Sequence, residues 1–533
     1  MENGVYLAAT AWTLIPIILT IACVFLTKRI LLSMMVGVLS SGFMVANMNL
    51  FRTIVLVEET FVGVFFPGNL FGVGSRWYFG IIIFLLGLGI ITSFVVLTGG
   101  AQAFVNSVAL RVKTRKGVQY ISVAVGILLM IDDYFNAMIN GNIGKTLAKE
   151  HKLSRTRVAY NVDSIAAPIC IIAPVSSWAV AIMGNIETVY ENLGLEGNIM
   201  MVFLSLIPYH FYVFAAIGLV LITIIFNFNL PAMKKFEDTL QATGTDESID
   251  EGGENLLGEA GSSIGNLYDF WVPICVLVFV TVGTMFVTGY QGALDNDAFA
   301  GDGAFIYAVL GNWSLSMSLY LGGISGAVAA MYMGARHIKA GEITKEQFWK
   351  AVLAGIRSMS GAIAILTLSW MISSHISRLE TGEFFAALIR DAGISPYFVP
   401  LIMFITAAVM AFCIGTSWGT FALVLPIAGA VAYQIDIGLL FPAMSAVLSG
   451  AVFGDHSSPI SDTTVLASVG SSCKVVDHFQ TQLPYAIMAA AIASVGYIAF
   501  GISGGNLFVG YIGFAAAIVA TVIFVKFYSA ARS

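Results

Sequence analysis

At 533 residues, with 58% hydrophobic and 11% charged residues and a net charge of −6, the chain carries less than half the charge of soluble domains, where about 25% is usual. That composition points to an all-α polytopic membrane protein, and the lack of a basic face or of interleaved basic and aromatic residues excludes a nucleic-acid partner. The five cysteines, Cys23, Cys170, Cys275, Cys413 and Cys473, are too widely spaced for a zinc or thioredoxin-type site and read as packing residues.

Spanning helices need roughly 20 apolar residues each. The first two are expected near 8–27 and 30–49, separated by Lys28-Arg29. That basic pair belongs in the cytoplasm, which sets the N-terminus outside. No basic region or cleavage pattern attends the first span, so it is expected to be retained. Residues 53–76, apolar but broken by Gly and Pro, read as interfacial or re-entrant, and a third span near 78–100 leads to Arg111, Lys113, Arg115 and Lys116. Residues 117–143 are apolar as far as Met130-Ile131 and then read Asp132-Asp133-Tyr134-Phe135-Asn136, ahead of a loop with Lys145, Lys149, Lys152, Arg155 and Arg157. A single crossing would put that loop outside, so a hairpin dipping in from the cytoplasm is expected, with the Asp pair near its tip. The span at 160–184 carries Pro168 and Pro174 and is expected to unwind between them. Its Asp163 reads either as a site residue or as a surface cap or partner of Arg157. After a span at 199–228, the acidic stretch 237–262 reads as a disordered cytoplasmic linker between an N-terminal half, 1–236, and a C-terminal half, 263–533.

The second half is expected to span near 269–289, 304–333 and 351–374. Residues 397–435 form a second hairpin, entering from outside and interrupted at Gly415-Thr416-Ser417-Trp418-Gly419-Thr420. The next span, 438–466, is broken by Gly454-Asp455-His456-Ser457-Ser458-Pro459-Ile460-Ser461-Asp462-Thr463-Thr464. A polar connector at 471–482, with Asp477 and His478 in solvent, precedes spans near 484–503 and 506–527. This layout of about 11 spans plus two hairpins puts every Lys and Arg inside except Arg52, Arg76, Arg378 and Arg390, and the C-terminus inside as well. Both halves run span, re-entrant hairpin, Pro-broken span, span, with Ala166-Ala167-Pro168 opposite Ser457-Ser458-Pro459. Because the hairpins enter from opposite sides the repeats are inverted, a plan by which secondary transporters build a midplane site from discontinuous helices.

The interruptions hold the chemistry. A dehydrated Na⁺ takes hard oxygen donors, and a carboxylate out of water has its proton affinity raised, so one pocket can alternate between the two cations. The ion or substrate site is expected to draw on Asp132, Asp133, Asn136, Asp163, Ser176, Ser177, Thr416, Ser417, Asp455, His456, Ser457, Ser458, Ser461, Asp462 and Thr463, with Asp133, Asp455 and Asp462 as ligands of a transported Na⁺. Asp132 and Asp133 point in different directions on any helix, so at most one faces the site directly. Helix capping by Asp and Ser and packing between helices are the competing roles. Trp178 and Trp418 each stand beside an interruption as gates or anchors. A membrane enzyme is not favoured: the chain has no His-Glu-x-x-His helix or soluble catalytic domain, and an inverted repeat gives a protease nothing.

The run from Phe453 to Thr464, Asp477-His478 with Thr481-Gln482-Leu483-Pro484-Tyr485-Ala486, the Asp132 to Asn136 run, and Asp163-Ser164 through Ala173-Pro174-Val175-Ser176-Ser177-Trp178 together resemble the NhaC-type Na⁺/H⁺ antiporter family of the larger ion-transporter superfamily. The resemblance implies a prokaryotic inner-membrane antiporter that exports Na⁺ against H⁺ entry, needs no cofactor beyond its transported ions, has the lipid bilayer as its surroundings, and is compatible with a homodimer. It extends to exchangers coupling Na⁺ and H⁺ to carboxylates such as malate and lactate, or to amino acids, and this is the alternative function.

Overall fold

The computed structural model describes residues 5, 7–27, 29–65, 75–109, 112–250, 265–295, 305, 309 and 312–530. Among them there is no β-sheet, only an isolated bridge between Ile249 and Cys473. The first group of helices is α1 (Ile15–Thr27), α2 (Ile30–Val45), α3 (Leu50–Phe65), α4 (Ser75–Leu97) and α5 (Gly100–Ala109). The first half continues with α6 (Arg115–Leu128), α7 (Asp133–His151), α8 (Arg155–Ile172), α9 (Ser177–Leu193), α10 (Ile199–Leu206), α11 (Phe211–Phe226) and α12 (Pro231–Thr243). The second half holds α13 (Leu267–Asp295), α14 (Leu315–Lys339), α15 (Lys345–Arg378), α16 (Thr381–Asp391), α17 (Val399–Ile414), α18 (Ser417–Ile435), α19 (Leu440–His456), α20 (Asp462–Ser471), α21 (Val475–Ile502) and α22 (Leu507–Ala530). Among the described residues, ten helical segments are long and apolar enough to cross a bilayer, or up to 12 if each bent pair counts as one span. The chain is a multi-pass membrane protein.

The interfacial expectation for 53–76 falls on α3, which turns 120° away from α2; residues 66–74 lie outside the described residues. The first hairpin is α6 and α7. Asn140 Nδ2 donates to Ser122 O at 2.8 Å and Asn136 Nδ2 to Gly126 O at 2.7 Å. The two links step in opposite directions along the chain, so the arms are antiparallel. Asn136, expected at the site, is spent holding them together. The second hairpin is α17 and α18, and α17 packs along α19.

The halves pack by one rule. The second arm of each hairpin rests on its own half's broken span and also on the far part of the other's: α7 on α8 and α20, α18 on α19 and α9. The free ends of α6 and α7 sit with the Lys145 to Arg157 loop, whereas the outer end of α18 lies at the opposite end of the molecule, beside the last turns of α9 and α15. The repeats are therefore inverted.

Around this centre, α4 runs between α14 and α15 at close range. A Cβ on Gly87 would come within 2.4 Å of the Gly323 carbonyl oxygen, so small residues set that spacing.

The acidic stretch is ordered over its first part, against expectation. Residues 237–243 complete α12, and Glu237, buried, accepts from Ser154 N at 3.1 Å and Ser154 Oγ at 2.6 Å while pairing with Arg115. Arg155 N donates to Asp246 at 2.8 Å, and Lys474 N to Ser248 O at 2.9 Å. These carboxylates satisfy the first turns of α6 and α8, and that is why composition alone misjudged them. Residues 251–264 lie outside the described residues.

Replacing Glu237 by Ala strands buried donors and an arginine, a loss of about 3 kcal/mol. A melting temperature several degrees lower is expected for Glu237→Ala, and none of that shift for Lys350→Ala, whose pair with Glu346 is exposed; equal melting of the two proteins would contradict the clasp.

Candidate functional site

Four helices begin at the centre, each the second part of an interrupted element: α7, α9, α18 and α20. Three are capped by their own sequence. Asp132 Oδ1 accepts from Phe135 N at 2.8 Å, Ser176 Oγ from Ala179 N at 2.9 Å, and Ser461 Oγ from Thr464 N at 3.1 Å. Thr416 stands at the fourth cap position without a side-chain cap bond. Two backbone bonds stitch hairpins to broken spans: Ser177 N donates to Ile131 O at 2.8 Å, and Asp462 N to Gly415 O at 3.2 Å. Each joins the first residue of a half-helix to the residue preceding a hairpin cap, so exchanging the halves converts one bond into the other.

This equivalence corrects the repeat register. Ala173-Pro174-Val175-Ser176 corresponds to Ser458-Pro459-Ile460-Ser461, whereas Pro168 lies inside α8. The span stays helical through Pro168 as far as Ile172 and unwinds over Ala173–Ser176, around its second proline. A proline within a helix buried in protein costs a hydrogen bond that neighbours absorb; Pro174 is followed by a serine that starts the next helix.

With the register set, the acidic side chains differ sharply in their surroundings. Asp455, completely buried, accepts from Ser461 Oγ at 2.5 Å and Ser417 Oγ at 2.7 Å. Asp462, half-buried, accepts from Tyr134 OH at 2.6 Å and Thr463 N at 2.9 Å. Asp132 serves as a cap. Asp133 is buried and both of its carboxylate oxygens lack a hydrogen-bond donor. It lies within electrostatic reach of Asp132, Asp462 and Asp455. Trp178 stands beside it and Ser177 beside Asp132, yet the Trp178 indole N–H and the Ser177 hydroxyl close no hydrogen bond. Trp418 Nε1 is likewise unpartnered, and its ring meets Trp178 at 6.1 Å between centroids.

The inverted symmetry exposes a swap. Ser417 on the second hairpin faces Asp455 on the broken span; at the equivalent places of the first half Asp133 is on the hairpin and Cys170 on the span, within reach of each other. Tyr134 closes its bond to Asp462, while the equivalent pair, Trp418 and Ser177, stays open.

Other expected residues turn inward to the fold. Ser457 Oγ bonds back to Phe453 O at 2.8 Å, Ser458 Oγ ties the break to Phe412 O at 2.7 Å, and Thr463 shares a 3.0 Å bond with Ser461. Among the described residues, no three Asp, Glu, His or Cys side chains gather to hold a metal ion by themselves.

A second polar centre gathers the expected Asp163 and His456 with His478 and Gln482, which were not expected at a site. Asp163 is buried, not a surface cap, and its Oδ2 accepts from Gln482 Nε2 at 2.6 Å, His478 Nε2 at 3.1 Å and Thr464 Oγ1 at 3.1 Å. Arg157 instead bonds Phe228 O and lies over the rings of Tyr160 and Tyr485. His456 joins through Tyr212 OH at 3.1 Å, and its carbonyl accepts from Gln482 at 3.0 Å. The expected solvent connector is in fact the first turns of α21, and His478 is completely buried. The signal was available: His478, Gln482 and Tyr485 recur at helical spacing, one face of a helix.

An all-helical bundle with inverted halves and a buried centre of half-helix N-termini and carboxylates is the architecture of a secondary transporter. The chain belongs to the Na⁺/H⁺ antiporter family, whose profile matches residues 169–502. An uncharacterized protein of Haemophilus influenzae is 33% identical over 525 residues, covering 97% of this chain and 95% of that one. The malate-2H⁺/Na⁺-lactate antiporter of Bacillus subtilis is 37% identical over 116 residues, 21% of this chain and 24% of that protein. The crystal structure of the YdaH transporter of Alcanivorax borkumensis shares the fold, with a TM-score of 0.56 at 11% identity over 85% of this chain and 90% of that one.

The stitch at Gly415 is testable. Gly415 has φ +76°, and a Cβ there would lie 2.6 Å from Ile460 O, whereas Gly244, at φ +74°, has nothing within 4 Å. Alanine costs roughly 1–2 kcal/mol at either left-handed position; Gly415→Ala is expected to lower the melting temperature well beyond Gly244→Ala, and indistinguishable melts would show that the hairpin tip is not pinned.

Proposed function

We propose that the protein exchanges cytoplasmic Na⁺ for external H⁺ by alternating access, and that Asp133 is the group for which the two cations compete. One observation carries this reading: a buried carboxylate with both oxygens free of donors, in the field of Asp132, Asp455 and Asp462. Such a group is costly as a bare anion, and the N-terminus of α7 offsets only part of the cost. A proton or a dehydrated Na⁺ removes the remainder. The Ser177 hydroxyl and the Asp132 carboxylate supply further oxygens for the metal ion. Asp455 and Asp462, already held by hydroxyl and amide donors, strengthen the field without being direct ligands. Inverted halves rocking about the stitched centre would open the same pocket to each side in turn. The basic end faces the cytoplasm of a prokaryotic cell across its inner membrane, with the N-terminus outside and the C-terminus inside; the family resemblance is compatible with a homodimer, and no resident cofactor is required.

A second reading is Na⁺/H⁺-linked exchange of a small carboxylate or amino acid. The unpartnered, buried indole N–H groups of Trp178 and Trp418 favour it, since at the first turns of α9 and α18 they are donors suited to an anionic group. The likeness to the Bacillus subtilis malate-2H⁺/Na⁺-lactate antiporter supports the same reading.

In everted membrane vesicles, Na⁺ added without any organic solute is expected to collapse a preformed pH gradient. Asp133→Asn should slow this by at least about tenfold, given the Coulomb energy lost at short range. A wild-type rate in a well-assembled Asp133→Asn protein would defeat the assignment. A response that appears only with malate, lactate or an amino acid present would select the second reading.

A further inference from the structure

Around Asp163 the buried polar atoms do not balance. The carboxylate can only accept, so His478 Nε2 carries the hydrogen between them at 3.1 Å, and the neutral ring's lone pair is on Nδ1. That Nδ1 is buried and has no partner. His456 Nε2 and Gln482 Oε1 are also buried and unpartnered, and all three side chains border Asp163. Asp163 with a neutral His478 leaves one uncompensated negative charge inside the protein; a proton on Nδ1 makes the pair neutral overall, with the imidazolium still donating from Nε2.

We propose that His478, held by Asp163, is the binding site of a transported proton, separate from the cation pocket at Asp133. This rests on the Na⁺/H⁺ reading and deepens it: Asp133 exchanges one proton for Na⁺, and the His478 centre carries a further one. The groups facing the pair are Asp455 and His456 from α19, Tyr212 from α11, and, from α20, the non-ionisable Thr464. None of the groups that contact Asp163 or His478 directly is a proposed Na⁺ ligand.

The link between the centres is α20. Its first residue, Asp462, bonds Tyr134 beside Asp133, and two residues on Thr464 bonds Asp163. Movement of this ten-residue helix therefore reaches both carboxylates at once. On the cytoplasmic side of the cycle, the proton leaves from Nδ1 and the tautomer held by Asp163 is restored.

The test uses purified full-length protein in proteoliposomes, with two assays: Na⁺/Na⁺ exchange of radiolabelled sodium, and proton movement driven by a Na⁺ gradient. His478→Gln keeps a donor for Asp163 and cannot be protonated. It is expected to retain Na⁺/Na⁺ exchange and to move about half as many protons per Na⁺, and Asp163→Asn is expected to show the same split. Proton movement at the wild-type rate in either variant overturns the proposal, as does equal loss of both assays in variants that remain monodisperse. If His478→Gln does not assemble, Asp163→Asn alone decides on the same criteria. Failure of the Na⁺/H⁺ reading itself is distinct, appearing as no Na⁺-driven proton movement in the wild-type protein.

Discussion

A carboxylate held inside a membrane protein needs hydrogen-bond donors or a counter-charge, and the acidic residues at the centre meet that need in different ways. Asp455 takes two hydroxyls, and Asp462 a phenol and a backbone amide. Asp163 collects an imidazole, an amide and a hydroxyl from two helices. Asp133 is given none, and this is why the proposed function assigns its requirement to a cation from solution. The broken helices follow from the same constraint, because the first turn of a helix is where backbone donors and a favourable dipole are available to negative charge.

Much of this was legible before any coordinates. A basic loop on the wrong side of a single crossing demanded the first hairpin, and a polar run within apolar sequence demanded a break near Pro459. Asp133 and Asp455 stood out because ionisable groups at that depth are expensive. The misses share a cause. Which proline ends a helix depends on what surrounds it, and Pro168 lies in a helix packed on all sides. The acidic residues of α12 looked like linker because their partners, Ser154 and Arg115, are far away in sequence. His478 is separated from Asp163 by 315 positions, and its local signal is confined to the helical spacing it shares with Gln482 and Tyr485.

The inverted symmetry is a property of the backbone, and the side chains depart from it. Equivalent stitches at Ile131 and Gly415 hold both hairpins, yet the carboxylate is on the hairpin in one half and on the broken span in the other. Polar contacts satisfy Asp455, Ser417, Asp462 and Tyr134, whereas the positions equivalent to them under the inverted symmetry keep open atoms at Asp133, Ser177 and Trp418. An ion site needs that inequality, because two halves saturated alike would leave nothing unsatisfied at the centre.

The unequal chemistry of equal backbones bears on the resting state of the carrier. If the two gates were built from matching contacts, an empty protein would divide itself evenly between facing in and facing out. Tyr134 latches onto Asp462, while Trp418 and Ser177 make no such latch; under the alternating access proposed above, that inequality would bias the unloaded molecule toward one orientation, and cargo would have to work against the bias on one leg of each cycle.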